Sequence, residues 1–337
     1  MIVLAEDRLP TLACAGFLLV GDPEIGSRRP GRRRDADWPN AILRKIEHVI
    51  EVANARRLLV IFLGDFFELA REPDEALKTR VTRLLRRLWT APLTNVGNHD
   101  MVNTRLGDGD SLAYLAVSDT LHAVAESGPV MEVEIAGKRV GIGMTPYGQA
   151  IPRDVTGAFP EAQRVVWFTH HDIALGDSYP GAVKPFEIVG CDAAVNGHIH
   201  ANKKPEKVGR TLWHNPGTIN RATYDEVGHV PRAWVMGAAP RLEAVELPHE
   251  HDVLELTGKL VEAASVQAVA KSVADVAQDS VFVSMLKAES TGELEQSGDG
   301  SVIAEEMESL FEEMEVAEDV RAILRSLRQE AVERNAA

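Results

Sequence analysis

The sequence predicts an α/β fold of two mixed sheets packed face to face with helices outside. Three observations predict it. Apolar runs at residues 15–20, 58–63 and, more briefly, 93–96 each end at a glycine-polar step, the pattern of a buried strand that delivers a loop. Helix-period segments separate those runs. From residue 130 to 247 strands follow one another with few helices between them, which calls for a second sheet.

Residues 15–20 read as a central strand ending at Gly21-Asp22. A polar loop follows, carrying Arg28, Arg29, Arg32, Arg33 and Arg34 around Pro30-Gly31. Asp37 is placed to cap the next helix, with Pro39 in its first turn. Ile42, Ile46, Val49, Ile50 and Ala53 then recur at helical spacing. Residues 58–63 form the second strand, 74–89 an Arg- and Leu-rich helix, and 93–96 a short strand. Further strands are expected at 130–135, 137–144 and 165–169, with Gly137-Lys138 as a hairpin turn. Others are expected at 192–196, 207–214, 232–236 and 242–247. Beyond about residue 249 the composition shifts. A helix at 253–276, a polar linker at 288–301 and helices at 304–316 and 320–332 are expected there. The boundaries are a domain at 1–248 and a helical extension at 249–337.

The 337 residues, 45% apolar, suffice for a substantial core. A net charge of -15 argues against non-specific coating by nucleic acid, but not against a local basic patch. Bound divalent cations would cancel part of the acidic charge. The two cysteines, Cys14 and Cys191, lie in or beside apolar segments and read as buried reduced thiols. No signal-peptide pattern and no membrane-length apolar run occurs, so a cytoplasmic protein is expected.

Five motifs carry the chemistry: Gly21-Asp22-Pro23-Glu24, Gly64-Asp65-Phe66-Phe67-Glu68, Gly97-Asn98-His99-Asp100, Thr169-His170-His171-Asp172 and Gly197-His198-Ile199-His200. A lone Asp at a strand end is ordinarily a turn residue. Five such motifs in order supply the carboxylate, amide and imidazole groups that divalent metals take in hydrolases. Two metals sharing a carboxylate can clamp a phosphoryl group during in-line attack.

These motifs resemble those of the calcineurin-like metallophosphoesterase superfamily over residues 14–247. GNHD and GHIH match in full, and GDFFE matches a permitted variant. The resemblance implies a four-layer αββα sandwich. It implies one metal held by Asp22, Asp65 and His200, and another by Asp65, Asn98, His170 and His198. It also implies a metal-bridging hydroxide as nucleophile, His99 as acid or transition-state stabiliser, and Asp100 as the residue that orients His99. His171 and Glu68 fall in supporting positions. The first motif departs from the family's D-x-H, because Glu24 stands in place of the histidine. Glu24 is taken as an oxygen ligand, which favours harder ions. The expected cofactors are two divalent ions, Mn2+ first, with Mg2+, Fe2+ or Zn2+ as alternatives.

Within the superfamily the chain is most similar to SbcD-type DNA repair nuclease subunits. The arginine loop suits phosphate contacts. Residues 215–221, Asn-Pro-Gly-Thr-Ile-Asn-Arg, resemble the segment after GH-x-H in those proteins. Arg28, Arg32, Arg33, Arg34 and Arg221 are therefore expected to bind substrate. The resemblance implies DNA as partner, and a coiled-coil ABC-type ATPase engaged by the C-terminal helices, where Met307, Leu310, Phe311 and Met314 share one face. A homodimer is a further expectation. The alternatives are a phosphodiesterase of cyclic nucleotides, and a scaffold subunit that keeps the fold without catalysis.

Overall fold

Each apolar run becomes a strand buried along its whole length. In the computed structural model, residues 9–176, 181–223 and 226–255 are described, all within the first of the chain's two compact units. The chain begins with β1 (Thr11–Ala13) and β2 (Gly16–Val20), then α1 (Trp38–Arg56) and β3 (Leu58–Phe62). It continues through α2 (Glu75–Leu85), β4 (Leu93–Asn95), α3 (Ser111–Val117) and β5 (His122–Val124). The strand-rich half holds β6 (Gly128–Ile135), β7 (Lys138–Thr145), β8 (Arg164–His170) and β9 (Ala193–Gly197). It closes with β10 (Lys203–Val208), β11 (Thr211–Asn215), β12 (Arg232–Met236) and β13 (Leu242–Glu246).

Two sheets result, ordered β1-β6-β7-β8-β9-β11-β10 and β13-β12-β2-β3-β4-β5. Strands β2 to β5 run parallel. So do β7, β8, β9 and β11. Side-chain alternation then divides each apolar strand between two interiors. Phe17, Leu19, Leu59 and Ile61 meet Val133, Ile142, Val166 and Phe168 between the sheets. Phe17 and Phe168 pack edge to face at 6.2 Å. Leu18, Val20, Val60 and Phe62 face the other way, toward Ile42, Ile46, Val49 and Ile50 of α1. The sandwich of two sheets is as the sequence predicts. Over the far face of the seven-stranded sheet, irregular chain supplies the cover: Val155, Phe159, Ile173 and Ile188 close on Trp167 and Trp213.

Local chemistry explains the departures from the expected elements. Asp74 caps α2 by accepting from Ala76 N and Leu77 N, and the helix ends at Leu85 rather than 89. Asp37 precedes α1 without a side-chain cap bond, and proline follows in the first turn as expected. The hairpin turn is Ala136-Gly137, one residue earlier than expected, both with φ positive, the conformation that a two-residue hairpin turn requires. The expected strand at 207–214 is the hairpin β10–β11, because Gly209 (φ 58) turns the chain after Val208. β1, β5 and α3 are too short to show a period.

The expected helix at 253 does not begin there. Instead Arg34 N donates to Val253 O and Glu255 N to Arg32 O, so residues 253–255 pair with the arginine loop. The rest of that helix lies outside the described residues, as do the linker at 288–301, the helices at 304–316 and 320–332, and the partner-binding face assigned to them. Cys14 and Cys191 are buried free thiols. Among the described residues no helix is long and apolar enough to cross a membrane.

Candidate metal centre

Parallel strands place their carboxyl ends along one edge, and the five motifs follow β2, β3, β4, β8 and β9 there. The chain turns sharply at that edge. Asp22 (φ 38), Glu24 (φ 45), Asp65 (φ 47) and His198 (φ 73) all adopt the left-handed region. Non-glycine residues hold that conformation only when their surroundings impose it, commonly at functional sites.

Asp65 is the centre of the constellation. Its Oδ1 accepts from His99 N at 2.8 Å, and its Oδ2 lies 3.0 Å from His170 Nε2. Gly97 makes that position accessible: a Cβ there would lie 2.1 Å from Asp65 Oδ1. Asp65, His170 and His198 bring ligand atoms within 4.8 Å of one another, and so do Glu24, Asp65 and His99. The two groups share only Asp65, which is the arrangement of a bridging carboxylate.

The remaining ligands are anchored from behind. Asp22 Oδ1 accepts from His198 N at 2.9 Å. His170 Nδ1 donates to Leu63 O at 2.9 Å, which turns Nε2 toward Asp65 Oδ2. His99 Nδ1 donates to Glu68 O at 2.8 Å. His198 Nε2 lies 3.2 Å from Asp172 Oδ1. His200 reaches Glu226 Oε1 with Nδ1 at 2.6 Å and Glu24 Oε1 with Nε2 at 3.2 Å. The other oxygen of Glu24 accepts from Asn220 Nδ2 at 3.3 Å. Tyr147 stands against this group, 5.4 Å from the His198 ring.

The donor set fits divalent cations on two further grounds. Asp22 Oδ2 and Asn98 Oδ1 are buried polar atoms with no hydrogen-bond partner, a cost that proteins rarely leave uncompensated. The titration behaviour agrees. Burial and the Asp65 charge push Asp22 up to about 6. Burial opposes the Asp65 charge, yet His170 and His99 hold that carboxyl down at about 2. Burial likewise disfavours charged imidazoles, but Asp65 and Asp22 lift His170 to about 9. Glu226 and Glu24 lift His200 to about 11. Without metal, His170 and His200 hold protons at neutral pH that a cation would have to displace.

The predicted residues are thus brought to one edge, with two corrections. Asp100 makes no hydrogen bond to the His99 ring. Its Oδ1 accepts from Phe66 N and Phe67 N and its Oδ2 from Gly97 N, so it ties the Asp65 turn to the Gly97 turn. The carbonyl of Glu68 orients His99 instead. Second, Arg33 and Arg221 are buried, 2% and 3% exposed. Arg33 donates to Arg221 O and pairs with Asp35. Arg221 donates to His251 O and Glu250 O. Neither guanidinium lies on the open surface. Arg28 and Arg34 are exposed and Arg32 half-buried; Arg34 pairs with Glu255 at 2.7 Å, and Arg32 donates to Glu255 O.

The sequence reading missed Glu226, Asn220 and the supporting role of Asp172. Asp172 directly follows the His pair, so proximity could have suggested it. Glu226 lies 26 residues from His200 in no motif, and nothing in its own segment marks it.

No family model matches the chain, and no curated protein matches it. Solved structures do. A hypothetical protein from Thermus thermophilus is 15% identical with a TM-score of 0.39, covering 69% of this chain and 99% of that one. A 5'-nucleotidase precursor from the same organism is 14% identical with a TM-score of 0.41, covering 78% of this chain and 59% of that one.

Proposed function

We propose that the chain is a binuclear metal-dependent phosphodiesterase, and more narrowly a DNA nuclease of SbcD type that uses Mn2+. The observation that carries this reading is the convergence of two ligand groups on Asp65, beside two buried ligand atoms without partners, Asp22 Oδ2 and Asn98 Oδ1. Asp65, Asn98, His170 and His198 would hold one ion, and Asp22, Glu24, Asp65 and His200 the other. Ions bound there supply Lewis acidity toward phosphoryl oxygens and an activated water. His99 is held by its Nδ1, which leaves Nε2 to stabilise or protonate a leaving oxygen. Exposed Arg28, on the loop after Glu24, supplies charge for a phosphate backbone.

The burial of Arg33 and Arg221 removes two of the five expected backbone contacts. That favours, as a second reading, a small phosphodiester such as a cyclic nucleotide. One experiment separates them: Mn2+-dependent cleavage of end-labelled single- and double-stranded DNA and of cyclic nucleotides, with Asp65→Asn alongside. The nuclease reading expects DNA cleavage that the variant lacks. Cleavage of cyclic nucleotides alone establishes the second. Two bound ions with no turnover of any of these point to a scaffold subunit.

A further inference from the structure

A second concentration of charge lies behind the metal centre, between the first half of α1, the arginine loop and the segment at 248–253. A cavity of about 200 Å³ opens there, lined by Arg33, Asp35, Arg44, Lys45, Arg221 and Val253 among others. Three of those cations are almost wholly buried: Arg33 and Lys45 are 2% exposed and Arg221 is 3% exposed. Buried cations are normally paired with carboxylates and fully hydrogen-bonded. Here Asp35 pairs with Arg33, the nearby Glu226 is taken by His200, and the other carboxylate on the wall, Glu250, is exposed. The exposed Arg44 on the same wall balances Glu250, so the excess of positive charge lies with the buried cations.

The hydrogen-bond inventory has the same sign. Lys45 Nζ donates to Ile219 O at 2.7 Å, one bond for a group with three donors. The Nε atoms of Arg33 and Arg221 have no acceptor. Burial, with the charges of Arg33 and Arg221, holds the Lys45 ammonium down at about 7; an anion beside it would oppose that shift. One acceptor, Asp35 Oδ1, is also without a partner, so the unfilled donors of Lys45, Arg33 and Arg221 outnumber the unfilled acceptors. Water supplies acceptors but no charge. An oxyanion supplies both, and phosphate matches guanidinium donors in geometry. At roughly 30 Å³ per water, the cavity has room for such an ion with part of its hydration.

We propose that this cavity binds a phosphate-type oxyanion, either free phosphate or the phosphate of a small monoester. The site is separate from the metal ligands and does not depend on the function proposed above. The two regions share one segment, since Ile219 O receives Lys45 while the neighbouring Asn220 holds Glu24.

The test is equilibrium dialysis of the full chain against labelled inorganic phosphate, in EDTA, with ionic strength held constant by chloride. A parallel arm uses a nucleoside monophosphate. One phosphate per chain is expected, weakened at least tenfold by Arg44→Glu and by Lys45→Met and unchanged by Asp65→Asn. Arg44 is exposed, so Arg44→Glu keeps the test valid if Lys45→Met does not fold. Tighter retention of the monophosphate than of phosphate identifies the ligand as a monoester; the reverse identifies free phosphate. Failure to retain either probe above the chloride background overturns the proposal. Retention untouched by both cavity variants, or abolished by Asp65→Asn, overturns it as well.

Discussion

Every candidate imidazole at the centre has one nitrogen held by an oxygen: His170 by Leu63 O, His99 by Glu68 O, His198 by Asp172 and His200 by Glu226. Such anchors fix the tautomer and the ring plane, so they act on metal affinity through the ligand. Glu226→Gln keeps an acceptor for His200 but removes the charge. It should weaken binding of an ion by about 10–100-fold, as read by competition with a metal-sensitive dye. His99 poses a sharper question, because its ligand atom also lies within 4.8 Å of those of Glu24 and Asp65. As the group facing the leaving oxygen, His99→Ala should lower the rate by about 10²–10⁴-fold and leave two ions bound by elemental analysis. Loss of an ion in that variant would make His99 a ligand instead.

At the scale of elements, the centre depends on turns that the backbone resists. Four left-handed non-glycine residues stand at the strand ends, and Gly97 lets one of those turns approach another. In Gly97→Ala the added Cβ would meet Asp65 Oδ1 at 2.1 Å and Asp65 N at 2.4 Å. The Asp65 turn must then move, so a lower Tm and loss of metal binding are expected together; an unchanged metal stoichiometry would mean that the turn is not needed for binding. Asp74→Ala should cost about 1 kcal/mol in denaturant melts and leave the metals in place, since the α2 cap bonds only Ala76 and Leu77. Legibility follows the same physics. Strands buried on both faces, such as 16–20 and 58–62, announce themselves as apolar runs, and α1 by its 3.6-residue period. Three-residue strands and the seven-residue α3 carry no period to read. Arg33 and Arg221 misled because arginine is ordinarily a surface residue. Their burial depends on Asp35 and on the carbonyls of Arg221, Glu250 and His251, and the carbonyl contacts join distant parts of the chain.

For the whole molecule, the net charge of -15 and the buried carboxylates of Asp22, Glu24 and Asp65 both favour uptake of cations. In the metal-free protein His170 and His200 are raised to about 9 and about 11, above the ordinary histidine value. A group so raised adds stability in full below about 6.5, and that contribution is lost as pH climbs through the folded value. The stability that these two histidines lend the metal-free chain therefore declines from neutral pH upward. Metal binding has the opposite slope. Each ion must displace a proton from a ligand nitrogen, so affinity rises by up to about tenfold per pH unit for each proton displaced. Because the ion binds the folded state, that affinity appears as a rise in Tm. Melts in EDTA and in Mn2+ at pH 6, 7 and 8 should therefore diverge, with the Tm gain from metal growing at each step. A gain that is constant or shrinks with pH would show that the ions do not bind through His170 and His200.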